Sequence, residues 1–167
     1  INTPDEAKDF ADRVKALGMQ TPGVMIETPA AALHADHVLA EVEFGSFGTN
    51  DLTQYVMASD RMDSRLSDMT TAWHPAVLRA ISLASQSAAA ISKPVGVCGE
   101  AAANSYLAAV LVGLGVSSLS MAPSALAEVR GFLASVDLEK CQSAARAALS
   151  ARTAKDAESL AKGILEG

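Results

Sequence analysis

Apolar residues recur at helical spacing between Asp5 and Leu17, and Gly18 ends this pattern. The spacing predicts an amphipathic helix at the start of the chain. After a Thr-Pro-Gly turn, residues 24–26 form a short uninterrupted apolar run, which is typical of a strand buried in a parallel sheet. The segment 30–42 that follows is predicted to be a helix. The opening of the chain therefore predicts the order helix, strand, helix.

The unit of strand and helix recurs along the rest of the chain. Further strands are predicted at 44–47, 94–98 and 118–121, and the helices after them begin at Asp51, Ser105 and Pro123. Additional helices are predicted at 75–91, where Pro75 suits the first helical position, and at 137–151 and 154–165. The polar segment 60–73 is long for a connection between a strand and a helix, which makes it a candidate functional loop.

Four strands that alternate with helices require right-handed crossovers and a parallel sheet, so the predicted fold class is α/β, in one domain spanning residues 1–167. Two architectures satisfy this pattern. One is a small open sheet, and the other is half of a (β/α)₈ TIM-type barrel followed by C-terminal helices. Periodicity alone does not choose between them.

A half barrel has consequences for assembly. The inner face of its sheet, which we expect to carry Met25, Val97 and Leu119, lacks the opposing strands that would bury it. Two strand edges are also left without a partner. Exposed edges and apolar faces favour pairing with another chain, so we expect a homodimer.

Composition excludes several classes of protein. Of the 167 residues 50% are hydrophobic and 19% are charged, and the net charge is −6, which argues against a disordered chain and against a nucleic-acid partner. No apolar run reaches the roughly 20 residues of a membrane-spanning helix, and the acidic N-terminus is unlike a secretory signal. We therefore expect a cytoplasmic protein without a membrane partner. Cys98 and Cys141 form neither a zinc motif nor a disulfide framework.

Candidate chemistry lies where the predicted strands end, because the carboxyl ends of parallel strands meet in one crevice. Glu27 follows the first strand, and Asp51 follows the second. Two carboxylates at neighbouring strand ends suit a hard cation such as Mg²⁺, which leaves its other positions to water and substrate. In a simpler interpretation Asp51 only caps its helix and Glu27 is an exposed residue. Spacing does not separate the two interpretations.

Two other side chains near these strand ends are candidates for a chemical role. Cys98 ends the third strand beside Glu100, and a thiol next to a carboxylate suits a proton donor better than a nucleophile. Alternatively, Cys98 is a small buried residue of the core. Arg61 lies at the start of the long polar loop, where its guanidinium could bind a phosphate. Alternatively, Arg61 is a solvated loop residue. His74, at a junction between loop and helix, has no assigned role.

Five segments of the chain together resemble one known family. They are PGVMIETPAAAL, FGSFGTNDLTQYVMASDR, HPAVLRAI, PVGVCGEAAA and VGLGVSSLSMAP. In this order they resemble the C-terminal domain of the phosphoenolpyruvate-protein phosphotransferases, the enzyme I family of the bacterial sugar phosphotransferase system, over residues 21–135. The resemblance implies the C-terminal half of a phosphoenolpyruvate-binding (β/α)₈ barrel, and hence a fragment of a longer protein. Pyruvate phosphate dikinase and phosphoenolpyruvate synthase share this barrel and similar motifs, and they remain alternatives.

The resemblance also implies roles for individual residues. Glu27 and Asp51 match magnesium ligands, Asn50 and Asp51 match a pair that contacts the substrate, Arg61 matches a phosphate-binding arginine, and Cys98 matches a proton donor. The implied reaction moves the phosphoryl group of phosphoenolpyruvate to a histidine on a separate domain and releases pyruvate. That other domain is also expected to dock a phosphocarrier protein.

The chain departs from this family in several places. The other phosphate-binding arginines, the phosphorylated histidine and the domain that docks the phosphocarrier protein have no counterpart in these 167 residues. Met62-Asp63 stand where the family usually has Gly-Asn, and Ser117-Ser118 replace a usual acidic pair. We therefore expect the fragment alone to be inactive. A non-catalytic, self-associating module remains an alternative function.

Overall fold

The computed structural model describes residues 1–60, 62, 66 and 69–167. The strands in this part of the chain are β1 (Gly23–Ile26), β2 (Phe44–Gly48), β3 (Val95–Cys98) and β4 (Ser118–Ser120). The helices are α1 (Pro4–Ala16), α2 (Pro29–Leu33), α3 (Ala35–Ala40), α4 (Thr49–Met57), α5 (Pro75–Ala90), α6 (Glu100–Ala103), α7 (Ser105–Gly113), α8 (Pro123–Ala134), α9 (Leu138–Ser150) and α10 (Ala154–Glu166).

The four strands form one parallel sheet in the order β1-β2-β3-β4. Strands that are neighbours in the chain are neighbours in the sheet, and helices connect each strand to the next. Within the described residues, β1 and β4 are the two edges. This arrangement confirms the predicted α/β fold, and it is consistent with part of a (β/α)₈ barrel followed by C-terminal helices.

The two faces of the sheet differ in burial. The register aligns two rows of residues, Ile26, Phe47, Val97 and Leu119 in one, and Met25, Ser46, Gly96 and Ser118 in the other. The first row packs under the helices, where Val97 is only 1% exposed, whereas Met25 in the second row is 37% exposed. The expectation that Val97 and Leu119 line the inner face is therefore wrong. Because side chains alternate along a strand, both residues point into the core beneath the helices.

Several helix boundaries differ from the predictions. The segment expected as one helix after β1 is two helices, α2 and α3, which meet at His34. Helix α4 begins at Thr49 rather than at Asp51, so Asp51 lies within the first helical turn. The start of α10 is as predicted, because the Thr153 hydroxyl accepts a hydrogen bond from the Asp156 backbone N–H at 3.1 Å.

The C-terminal helices complete the core by packing on α7. Helix α7 is apolar on nearly all sides, as expected of a buried helix, and its residues from Leu107 to Leu111 are buried. At its start, the Tyr106 hydroxyl donates a hydrogen bond to Glu166 at 2.6 Å, which ties α10 to α7. Among the described helices, none combines the length and the hydropathy that crossing a bilayer requires.

Gly113 lies at a close approach between α7 and α9. A Cβ at this position would press on the backbone carbonyl of Cys141, which has little freedom to move. We expect Gly113→Ala to lower the free energy of unfolding by about 2 kcal/mol, within the usual cost of overpacking, as measured by urea denaturation. At Gly131 on α8 a Cβ would meet nothing within 4 Å apart from the adjoining residues of its own helix, so Gly131→Ala is expected to raise stability by about 0.5 kcal/mol. Equal effects of the two substitutions would contradict this packing.

Candidate functional site

The structure brings most of the predicted site residues to one end of the sheet. The register pairs Ile26 with Phe47 and Gly48 with Cys98, so β1, β2 and β3 end side by side. Glu27 directly follows β1, Asn50 and Asp51 lie in the first turn of α4 after β2, and Cys98 ends β3. The fifth predicted residue, Arg61, lies outside the described residues.

The Glu27 side chain extends over the end of β2. A Cβ built on Gly48 would lie 2.9 Å from Glu27 Oε2 and 2.7 Å from Met25 Cε. A larger residue at position 48 would therefore displace the carboxylate. Gly48 immediately precedes α4, whose first turn carries Asp51, and both Glu27 and Asp51 are half-buried. The fold thus holds two partly shielded carboxylates at neighbouring strand ends.

This donor set fits a hard divalent cation. Mg²⁺ prefers oxygen ligands, typically binds one or two carboxylates, and keeps its other positions for water and substrate. Across residues 1–60, 62, 66 and 69–167, no three His, Cys, Asp or Glu side chains come together as a metal-binding group. The pair Glu27 and Asp51 therefore suits a cation that is shared with a substrate better than a cation enclosed by protein ligands alone.

The two cysteines occupy different environments. Cys98 is half-buried, and its thiol donates a hydrogen bond to the backbone oxygen of Phe47 at 3.5 Å, which directs Sγ towards the end of β2. Cys141 is 2% exposed in the core, where burial raises the pKa of its thiol. The interpretation of a cysteine as a small core residue fits Cys141 rather than Cys98.

Glu100 is a site residue that the sequence did not single out for a role of its own. Its Oε2 accepts a hydrogen bond from Asn50 Nδ2 at 2.7 Å, which links the first turn of α4 to the start of α6. Gly99, with a φ of 96°, lets the chain turn from β3 into α6. Asn50 and Glu100 both line a cavity of about 280 Å³, together with residues such as Asn104 and Trp73. The sequence showed that Glu100 lies close to Cys98, but it did not show that Glu100 accepts a hydrogen bond from Asn50.

Comparison with known proteins bears on this site. Residues 6–138 match the family described as "PEP-utilising enzyme, PEP-binding domain". The chain is 47% identical over 163 residues to the phosphoenolpyruvate-protein phosphotransferase of Streptomyces coelicolor, covering 97% of this chain and 29% of the relative. It is 37% identical over 150 residues to the protein of the same name from Lactococcus lactis, covering 90% of this chain and 26% of the relative. A multiphosphoryl transfer protein of Xanthomonas campestris is 43% identical over 138 residues, covering 83% of this chain and 16% of the relative.

The chain thus spans less than a third of the length of these relatives. The family match includes all four strands of the sheet and every residue of the candidate site. It confirms the resemblance drawn from the sequence motifs. The chain belongs to the family of PEP-utilising enzymes, within their PEP-binding domain.

Proposed function

We propose that the chain is part of a phosphoenolpyruvate-protein phosphotransferase of the cytoplasm. The observation that carries the proposal is the meeting of Glu27, Asp51 and Cys98 at one end of the sheet, in a chain that belongs to a PEP-binding family. The name of the Streptomyces relative supports the choice of this activity over that of a dikinase or a synthase. The parent protein would move a phosphoryl group from phosphoenolpyruvate to one of its histidines, and from there to a phosphocarrier protein.

Each residue has a defined part in this reaction. Glu27 and Asp51 would hold Mg²⁺, which supplies positive charge to the oxygens of the substrate. Asn50 and Arg61 would contact the substrate, and the guanidinium would bind its phosphate. Transfer of the phosphoryl group breaks the bond between phosphorus and the enol oxygen and leaves the enolate of pyruvate. Cys98 would then donate its thiol proton to C3, which completes pyruvate, and the thiolate would regain a proton from solvent.

The full-length protein tests this proposal. Incubation with phosphoenolpyruvate and Mg²⁺ alone is expected to phosphorylate a histidine of the same protein and to release pyruvate. Phosphohistidine is detected by its acid lability, and pyruvate by a coupled dehydrogenase assay. A requirement for a nucleotide would instead support the dikinase or synthase alternative.

Residues 1–167 alone are expected to release no measurable pyruvate from phosphoenolpyruvate and Mg²⁺. No segment of this chain matches the phosphorylated histidine or the other phosphate-binding arginines, and the loss of one well-placed electrostatic group already costs about 10²- to 10³-fold in rate. The coupled assay, with and without the chain, provides the measurement. Turnover above the background rate would show that the missing groups are dispensable.

We also propose that the protein forms a homodimer. A groove of about 330 Å³ between α2, α4 and α5 is lined by Arg79 and otherwise by apolar side chains, of which Leu33, Tyr55 and Leu83 are exposed. Exposed apolar side chains gathered in one groove favour association. In the longer protein, further strands would cover the open face of the sheet, whereas this groove on the helical side would stay available for a second copy.

Light scattering of the full-length protein is expected to give the mass of a dimer at micromolar concentration. Leu83→Lys places a charge in the groove one helical turn from Arg79, where no described lining residue offers an opposite charge, and should shift the protein towards monomer, because a charge is poorly tolerated in an apolar contact. Leu17→Lys, at an exposed leucine outside the groove, is the matched control and should leave the dimer intact. A monomeric wild-type protein, or dissociation by both substitutions alike, would contradict the proposed surface.

A further inference from the structure

Glu100 is joined to the candidate site by one hydrogen bond, in which its carboxylate accepts from Asn50 Nδ2 at 2.7 Å. We infer that Glu100 is a positioning residue, which fixes the orientation of the Asn50 amide towards the substrate. This inference rests on the proposed function, because only there does Asn50 contact phosphoenolpyruvate. It adds a residue to the site whose part is to orient another side chain.

The hydrogen-bonding groups of Glu100 and Asn50 determine the orientation of the Asn50 amide. An ionised carboxylate only accepts hydrogen bonds, whereas an asparagine amide has a donating NH₂ on one side and an accepting oxygen on the other. Glu100 therefore selects the rotamer in which the NH₂ of Asn50 faces α6. Without Glu100 the amide is free to turn over, since the terminal torsion of asparagine is broad and roughly two-fold. Donor and acceptor would then exchange places in front of the substrate.

The backbone places this pair across the site. Asn50 lies two residues after Gly48, Glu100 lies two residues after Cys98, and the register pairs Gly48 with Cys98 in the sheet. The hydrogen bond therefore connects the two helices that begin directly beyond the end of this strand pair. It links the segment with the candidate metal ligand Asp51 to the segment with the candidate proton donor Cys98.

Burial and charge both argue against a purely structural role. Asn50 and Glu100 are exposed, and a hydrogen bond between exposed side chains adds little to the stability of a fold. A carboxylate beside a crevice for an anionic substrate also repels that substrate. A residue with an unfavourable charge and a small effect on stability is best explained by the geometry that it imposes on Asn50.

Kinetics of the full-length protein test the inference. Glu100→Ala is expected to raise the KM for phosphoenolpyruvate by roughly 10-fold, with kcat changed by less than about threefold, as for the loss of one charge-assisted hydrogen bond that orders the site. Glu100→Gln keeps an accepting oxygen and should stay within about threefold of the wild-type KM. In a protein that already carries Asn50→Ala, adding Glu100→Ala should not raise KM any further, because Glu100 acts through Asn50 and the loss of its repelling charge only lowers KM.

Control measurements distinguish a failure of the inference about Glu100 from a failure of the proposed function. Glu139→Ala removes a glutamate from the first turn of α9 and is expected to leave the KM unchanged. Thermal unfolding midpoints of the Glu100 variants should match the wild type, since the side chain is exposed. A wild-type KM in Glu100→Ala, or independent losses from Asn50→Ala and Glu100→Ala in the double variant, would overturn the inference. A wild-type protein that forms no pyruvate from phosphoenolpyruvate would instead overturn the proposed function.

Discussion

Glu27→Ala in the full-length protein is expected to slow Mg²⁺-dependent phosphorylation by phosphoenolpyruvate by about 10²- to 10³-fold, the usual cost of losing one major electrostatic group from a site. Glu27 extends over Gly48 at the end of β2, and among the described residues no third His, Cys, Asp or Glu side chain joins Glu27 and Asp51 in a metal-binding group. A cation held by the remaining carboxylate alone would bind weakly. Asp51→Ala should have a similar effect for the same reason.

A magnesium titration distinguishes loss of a metal ligand from loss of fold. Glu27→Ala should need a higher Mg²⁺ concentration to reach half of its own maximal rate, whereas a partly unfolded protein would keep the wild-type midpoint with a lower maximum. Glu43→Ala is the matched control. Glu43 precedes β2 at the opposite end of the sheet, where its carboxylate lies 3.6 Å from Lys93 and 3.7 Å from Lys15. Its removal should leave the magnesium midpoint unchanged, and an unshifted midpoint in Glu27→Ala would contradict the assignment of the ligand.

Apolar runs and capping residues were enough to predict the order of the four strands and most of the helices, but they predicted neither the short helix α6 nor which side of the sheet the helices cover. In β3 every residue from Val95 to Val97 is buried, and β4 has only three residues, so neither strand has an alternation long enough to identify its inner side. The side of β3 and β4 that faces the helices is known only from the register of these strands with β1 and β2. The break at His34 was also missed, because the segment 30–42 keeps apolar residues at helical spacing and contains neither glycine nor proline.

The sequence predicted the part of the candidate site that depends only on where each strand ends. Residues just after parallel strands meet at one end of the sheet, so the positions of Glu27, Asp51 and Cys98 followed from the predicted strands. The contact between Asn50 and Glu100 did not follow in this way. It depends on the turn at Gly99 and on the register of β2 and β3, and the register leaves no local signal in the sequence.

Cys98→Ser is expected to separate the two partial reactions of the full-length protein. A hydroxyl is a far weaker acid than a thiol, so protonation of the enolate at C3 should slow by about 10²- to 10⁴-fold, the usual contribution of a general acid. Phosphorylation of the histidine does not require this proton and should continue. The substitution is small, and a serine hydroxyl is able to donate to the Phe47 carbonyl as the thiol does.

Single-turnover experiments measure both reactions in the same sample, with phosphohistidine and pyruvate followed over time. In Cys98→Ser, phosphohistidine should form at close to the wild-type rate while the formation of pyruvate lags behind it. Cys141→Ala is the control for the loss of a thiol, because Cys141 is buried in the core away from the strand ends. In this variant both reactions should keep their wild-type rates. Equal slowing of the two reactions in Cys98→Ser would mean that Cys98 supports the packing of the site, because a proton donor to C3 acts only after the phosphoryl group has left.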